Sequence, residues 1–499
     1  MRLPTGSIID ALRGSRTAGA AWVGLARSVS LCMSLCIAVF LSRIMEPESY
    51  GTYLQILYIY STLLVLFSLG LPGCYSYFLG RVSAEEGRAI VTKLTGVCTA
   101  AGALFSLSLF LFADDIALFM SNASLASGLR VFAVVPVTLM PVAGVEGIMI
   151  TYRRSRLLAC YVCTSRLLTL LCVVTAAWHY KGDVTYVTAA FAAASVLSAA
   201  AGIRLSYLPF KGILSVPCHI TYRDFFRFAL PVFYSGIYGF IITSSSRFFV
   251  SRYFGAEDFA VFSNGFREVP LAVIVASSVG SVLLPELSRL SVGERASCID
   301  VWRRSVSKSA SIIWPVSVFC IVFAPEIMVT FFGESYRAGA DLFRLASLVC
   351  FVRVVPFYPL MAALGRMRDF ARAHLYTALL LVTTDYITSV YYPSLTALAA
   401  VSVATTLFCM LLLFRSVATA TGTGLVTLIP LSRLWRLIVV SGAACMAAKA
   451  AVAWSEITNM PVALLVAAAV AIPVYLIIAE ASGIDYLPIL RKSVSDVNR

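Results

Sequence analysis

The sequence predicts an all-α, polytopic membrane protein of about fourteen transmembrane helices, arranged as two parallel six-helix lobes followed by two C-terminal helices. Three observations carry this expectation. Of 499 residues, 60% are hydrophobic and only 13% are charged, and the mean hydropathy is +0.88, values foreign to a soluble chain. Apolar stretches long enough to cross a bilayer core, about 20 residues each, recur from Trp22 onward. Finally, Lys and Arg gather at every second gap between those stretches. Lipid offers no partner to an unpaired backbone group, so the apolar stretches must be helices joined by short loops.

The first span, 22–41, follows Arg13 and Arg16 but lacks a small-residue cleavage site, and so reads as an uncleaved helix rather than a signal peptide. Spans at 52–71, 94–112, 128–150, 157–177 and 184–207 complete a first set of six and an N-terminal lobe of 1–224, which closes on a polar, amphipathic stretch at 209–224. A second set follows at 225–250, 259–284, 306–324, 342–364, 371–390 and 394–414, giving a C-terminal lobe of 225–418. The region 419–499 holds a Thr/Gly-containing stretch at 419–424, two further spans at 434–454 and 460–479, and a tail.

Charge distribution orients the chain and excludes one function class. Twenty-seven of the 39 Lys and Arg residues fall on the side of the N-terminus, including Arg2, Arg13 and Arg16 in the first tail and Arg491 and Lys492 in the last. The opposite loops hold seven: Arg43, Arg130, Lys181, Arg252, Arg337, Arg344 and Lys449. This bias places the N-terminus in the cytoplasm, and an even number of helices returns the C-terminus there. A missed helix would break the alternation from that point on, and no break occurs. The net charge of +14 therefore reflects topology and not a nucleic-acid footprint.

An internal repeat agrees with two related halves. Ser42-Arg43, Glu48, Tyr50 and Tyr53 match Ser251-Arg252, Glu257, Phe259 and Phe262 without gaps at an offset of 209 residues. Leu129-Arg130 matches Phe343-Arg344, and Arg153 matches Arg366, at nearly the same offset. Six helices per half keeps both copies in one orientation. The fourth and tenth spans each carry two prolines, Pro136 with Pro141 and Pro356 with Pro359, which either bend these helices or reflect only that proline is commoner in membrane helices than in soluble ones.

Five arginines remain once loops are assigned: Arg27, Arg166, Arg247, Arg267 and Arg353. A charge at the centre of a span costs roughly 2.5 to 3.5 kcal/mol, so it normally faces a protein interior or a wet path. Arg166 and Arg353 lie deepest, whereas Arg27 and Arg247 sit nearer helix ends, where they can snorkel. Acids are fewer: Glu146, Glu268 and Asp385. Glu268 cannot face its neighbour Arg267 on a helix, so it either meets another helix or lies near the surface. Asp385 is a candidate ion or proton site, or an internal partner for an arginine, and Glu146 is similar. The surplus of cations over acids suits an anionic substrate, because the guanidinium fork matches phosphate oxygens.

Nothing in the sequence suggests catalysis. The three histidines, His179, His219 and His374, fall in or near loops. Gly422-Thr423-Gly424 lacks the context of a nucleotide loop. The 13 cysteines lie mostly in apolar segments, as in Cys32 with Cys36 and Cys160 with Cys163, and read as packing residues, with no spacing that completes a zinc site. No metal or cofactor is expected.

Ser42-Arg43, Glu48, Tyr50-Gly51-Thr52-Tyr53 and Gly70-Leu71-Pro72 resemble the opening of the bacterial polysaccharide flippase family of the multidrug/oligosaccharidyl-lipid/polysaccharide exporter superfamily. Phe332-Gly333-Glu334-Ser335-Tyr336, Leu342-Phe343-Arg344-Leu345-Ala346 and Leu364-Gly365-Arg366 are similar to that family's tenth-helix region. The resemblance implies two six-helix lobes around a cationic cavity, and export of polyprenyl-pyrophosphate-linked oligosaccharide (O-antigen, capsule or exopolysaccharide) across the bacterial cytoplasmic membrane. It also implies membrane lipid, a polysaccharide polymerase and other assembly proteins as partners. A lipid II flippase would want the same positive cavity, while the arginine surplus disfavours a multidrug antiporter. A membrane polymerase or ligase would need a larger external loop than this chain offers, and a noncatalytic assembly scaffold is the remaining alternative.

Overall fold

A computed structural model describes residues 16–290, 295–424, 428, 431–457 and 459–482. The basic tail residues Arg2, Arg13, Arg491 and Lys492 lie outside them. Every regular element among the described residues is helical. Among the described residues, twelve helices are long and apolar enough to cross a membrane, or thirteen if the bent pair Tyr222–Tyr234 and Gly236–Tyr253 is one span. The remaining expected span, 371–390, corresponds to a 25-residue helix, Met367–Tyr391, that is less apolar because it carries His374, Asp385 and several threonines.

In the unit 1–260, α1 (Arg16–Ile44) packs along α9 (Ser155–His179), and α9 against α10 (Val184–Tyr207). The second span is α2 (Pro47–Ser68) followed by the short α3 (Pro72–Leu79). Proline at the first turn starts each of these helices without losing a hydrogen bond. Between them Leu69 and Gly70 adopt left-handed φ values of 46° and 75°. A side chain at Gly70 would also meet Ala229 O at 2.8 Å, so this turn needs glycine twice over.

The third span is α4 (Ala84–Leu111), capped by the Ser83 hydroxyl accepting from Glu86 N, and it leads into the short α5 (Ala113–Phe119). The fourth is divided into α6 (Leu125–Phe132), α7 (Val134–Leu139), a 3₁₀ turn at Met140–Val142 and α8 (Val145–Thr151), so the two-proline span is interrupted at Pro141. The long α11 (Tyr222–Tyr253) contains Pro231 and bends by 45° a turn later, where proline has removed a backbone hydrogen bond. Leu71, Tyr75, Leu94, Ile148, Leu158 and Phe225 belong to the core that joins these elements. Gly51 of α2 lies so close to the start of α12 (Ala256–Gly265) that a Cβ would stand 1.8 Å from Ala256 O.

The unit 261–499 contains α13 (Pro270–Arg289), α14 (Arg295–Val322), the short α15 (Ala324–Phe332), α16 (Ala340–Arg353), α17 (Phe357–Ala363), α18 (Met367–Tyr391), α19 (Leu395–Thr421), α20 (Leu431–Trp454) and α21 (Met460–Ala481). From α14 to α19 the element order repeats that from α4 to α10 in the first unit. α4 and α14 are both 28 residues long, α9 and α18 are both 25, and a short helix follows α4 and α14 alike. Leu283, Trp302, Leu360, Leu413 and Leu437 lie in its core. The last two helices are joined to α14 and α15 through Phe323, Cys445, Ala448 and Ala467, and through an ion pair between Lys449 Nζ and the buried Glu326.

Two expected spans are broken rather than continuous. In 259–284 the helix stops at Gly265, and Phe266 to Val269 are non-helical before Pro270 restarts it. In 342–364 it stops at Arg353, and Val354 to Pro356 separate α16 from α17. The cause is local: a residue before proline is pushed out of the helical region, and Val269 and Val355 both precede one.

Candidate functional site

The five arginines expected within the membrane separate into different situations. Arg27 of α1 donates from Nη2 to Glu146 Oε1 of α8 at 2.6 Å, and both side chains are largely exposed. Glu146 thus sits just beyond the proline-interrupted turn with its charge met by an arginine. Arg166 of α9 is also exposed, and it makes no hydrogen bond or ion pair among the described residues. Its guanidinium lies in electrostatic range of Tyr60 of α2 and Tyr161 of its own helix. Tyr60 is held in turn by stacking on Phe105, with ring centroids 5.7 Å apart. Arg247 of α11 is exposed and lies in electrostatic range of Tyr58.

The remaining two gather at the helix breaks of the second unit. Arg353, the last residue of α16, forms an ion pair with Glu268, in the non-helical stretch before α13. Glu268 therefore meets another helix, as one of its two expected placements required. Arg267 beside it is half-buried and has no hydrogen bond or ion pair among the described residues. Asp385 is fully buried within α18.

Non-helical backbone at membrane depth is tolerated only where protein or water satisfies it. Here two tryptophans of α14 supply part of that satisfaction. Trp302 Nε1 donates to Pro356 O, and Trp314 Nε1 donates to Phe351 O, each at 3.2 Å. Phe351 O stands where a continuing helix would accept from Val355 N, but Val355 N instead bonds Val352 O at 3.1 Å. Two indoles thus hold the carbonyls that the break releases, and with them the backbone carrying Arg353. Sequence reasoning missed both tryptophans and the break before α13, and for the tenth span it noted Pro356 and Pro359 without placing the break before α17. The Val-Pro steps at 269–270 and 355–356 were the signal for the breaks, whereas no local pattern announces the indole contacts.

Sequence reasoning also missed a buried amide system in the first unit. Gln55, fully buried in α2, donates from Nε2 to Ser251 O at 3.3 Å and to Ser251 Oγ at 3.2 Å, and accepts from Asn122 Nδ2 at 2.7 Å. Asn264, also buried, occupies the position of Gln55 in the repeat, so the duplication carries a buried polar residue that hydropathy alone does not reveal.

Two of the three acids expected in the membrane are met by Arg27 and Arg353, while Arg166 and Arg267 keep donors that no described side chain occupies. A guanidinium offers a planar fork of donors to a phosphate-like group.

Comparison with known proteins agrees with this architecture. No curated protein matches the chain in sequence. Among solved structures, the lipid II flippase MurJ in an inward closed conformation superposes with a TM-score of 0.71 at 14% identity, covering 92% of this chain and 98% of its own. A MOP superfamily transporter from Pyrococcus furiosus, described as having a binding pocket of reversed polarity, gives 0.56 at 14% identity over 83% and 97%. A multidrug resistance MATE family transporter in its outward-facing conformation gives 0.56 at 16% identity over 85% and 99%. The polytopic helical fold is therefore the one these membrane transporters share. The sequence model of the polysaccharide biosynthesis protein family matches residues 40–341, more than half of the chain, including the Ser42-Arg43 opening and its repeat, and the protein is a member of that family.

Proposed function

We propose that the protein is a flippase that carries an anionic polyprenyl-pyrophosphate-linked oligosaccharide across the bacterial cytoplasmic membrane by alternating access, with both termini in the cytoplasm. The observation that carries this reading is Arg166: an arginine inside an apolar span, exposed, and with no acid or hydrogen-bond acceptor among the described residues. Such a charge is costly in the membrane unless water or an anion meets it, and a pyrophosphate supplies the matching oxygens. Arg353, Arg267, Arg27 and Arg247 are the further substrate-binding residues in this reading. Asp385, and more weakly Glu146, are the candidates for coupling to an ion. Lobes 1–224 and 225–418 would exchange open faces, with 419–499 as an added helix pair, and a polysaccharide polymerase would take the delivered glycan. Only an anion held more tightly in one state than in another can shift the exchange.

The test is depletion of the protein in its host, followed by measurement of lipid-linked glycan on the cytoplasmic face. Accumulation relieved by wild type but not by Arg166→Ala or Arg353→Ala supports the reading. Normal export by both variants refutes the assignment of the arginines. The higher TM-score with MurJ favours lipid II as the second reading, and complementation of a strain lacking its lipid II flippase separates the two.

A further inference from the structure

Away from the intramembrane arginines, the fold brings together three side chains that the sequence keeps far apart. Glu86 lies in the first turn of α4, while Cys218 and His219 lie in the non-helical segment leading to α11. One ligand atom from each falls within 4.8 Å of the other two, and His219 Nδ1 is 3.8 Å from Glu86 Oε1. A tetrahedral zinc site, with bonds of about 2.0 to 2.3 Å, places its ligand atoms roughly 3.3 to 3.8 Å apart, so small side-chain adjustments close the set.

The backbone beneath these groups is already held. Val216 N donates to Glu85 O at 3.4 Å. Lys93 Nζ donates to Cys218 O at 3.3 Å and to Ile220 O at 3.0 Å, and Ile220 is buried in the core of the first unit. The chain bends at His219, which lets consecutive residues turn toward the same carboxylate. Cys218 is the single cysteine of the 13 outside a helix; it lies half-buried at the edge of the first unit's core, where its Sγ accepts from Ile220 N at 3.5 Å.

We propose that Glu86, Cys218 and His219 form a binding site for a divalent cation of the zinc class, which clasps the segment before α11 to the start of α4. A carboxylate and a thiolate neutralise the ion, and the mixed oxygen, sulfur and nitrogen set suits zinc rather than magnesium or calcium. Three protein ligands leave a fourth position for water. Lys93 and Arg88 are the nearby cations, and both are turned to backbone carbonyls, of Cys218 and Ile220 and of Ile213. The expectation that no metal set exists rested on spacing along the sequence, which cannot show a residue of α4 meeting one before α11. The site is independent of the transported substrate.

The test uses the purified full-length chain in nanodiscs, stripped with a chelator and titrated with zinc chloride. Bound metal is measured by elemental analysis after dialysis, and Cys218 reactivity with a water-soluble maleimide. Expected are one zinc per chain, at least tenfold slower labelling of Cys218 with zinc and no slowing with magnesium, and loss of the bound zinc in both Cys218→Ser and Glu86→Gln. Unchanged labelling, or equal zinc in wild type and both variants, overturns the proposal. Glu86→Gln leaves the Ser83 cap and the thiol in place, so a folding defect in one variant does not decide the outcome.

Discussion

Arg166 and Arg353 share a residue type and a place in apolar sequence, but not a situation. Arg353 is met by Glu268; Arg166 has no such acid among the described residues. Removing Arg166 should therefore cost transport and not folding. Arg166→Ala is expected to express at wild-type levels in the membrane, yet to lower export of lipid-linked glycan at least tenfold, with Arg166→Lys intermediate because an ammonium keeps the charge but loses the fork. Reduced expression equal to the reduced export would count against this. For the ion pair, both partners are partly exposed, so its loss is worth about 1 kcal/mol or less and export is the readout. Glu268→Arg and Arg353→Glu should each impair export, and the double charge swap should regain activity over either single change. That these charges fall within apolar stretches of sequence was legible from hydropathy alone. Their pairing was not, because residues 85 positions apart meet only once the helices are packed.

At the level of elements, the sequence located the spans well and their interruptions poorly. Hydropathy averages over a window, so 259–284 and 342–364 read as continuous, although Val-Pro steps inside them forbid a regular helix. Of the two readings the paired prolines left open, bending is the one present, as the 3₁₀ turn at Met140–Val142 and as the break before α17. The span 371–390 forms a full helix of marginal apolarity, since His374 and Asp385 sit within it. The break before α17 yields a specific expectation for α14. Trp314→Phe removes the donor to Phe351 O while keeping an aromatic ring, and an unmet carbonyl of this kind costs about 1 to 3 kcal/mol. A lower thermal midpoint of the detergent-solubilised protein is expected, together with reduced export even at temperatures where the variant is folded. An unchanged midpoint and full export would show that the indole is only a packing group. Gly51 gives a second check: Gly51→Val must displace the start of α12, so it should abolish stable expression, whereas a valine at Gly96, with nothing within 4 Å of its Cβ position, should be tolerated.

At the scale of the whole molecule, two features of the sequence reach beyond any element. The short repeat beginning at Ser42 and Ser251 marked halves whose described helices follow the same order, and its offset places Gln55 and Asn264 at equivalent buried positions. The alternation of Lys and Arg between loops predicts the topology, which a C-terminal reporter active only in the cytoplasm checks: signal is expected, and its absence with a periplasmic reporter active would invert the orientation. What the sequence could not convey was which charges are left available after packing, since that depends on contacts between distant helices. On the proposed function, Arg166, which has no acidic partner among the described residues, binds the anionic head group of a lipid-linked glycan during its passage. The most direct test of this central claim is reconstitution of the purified protein in liposomes with a fluorescent polyprenyl-pyrophosphate-linked oligosaccharide, comparing wild type with Arg166→Ala. Transfer between leaflets by wild type, reduced at least tenfold in the variant, is the predicted result; equal transfer by both would contradict the account.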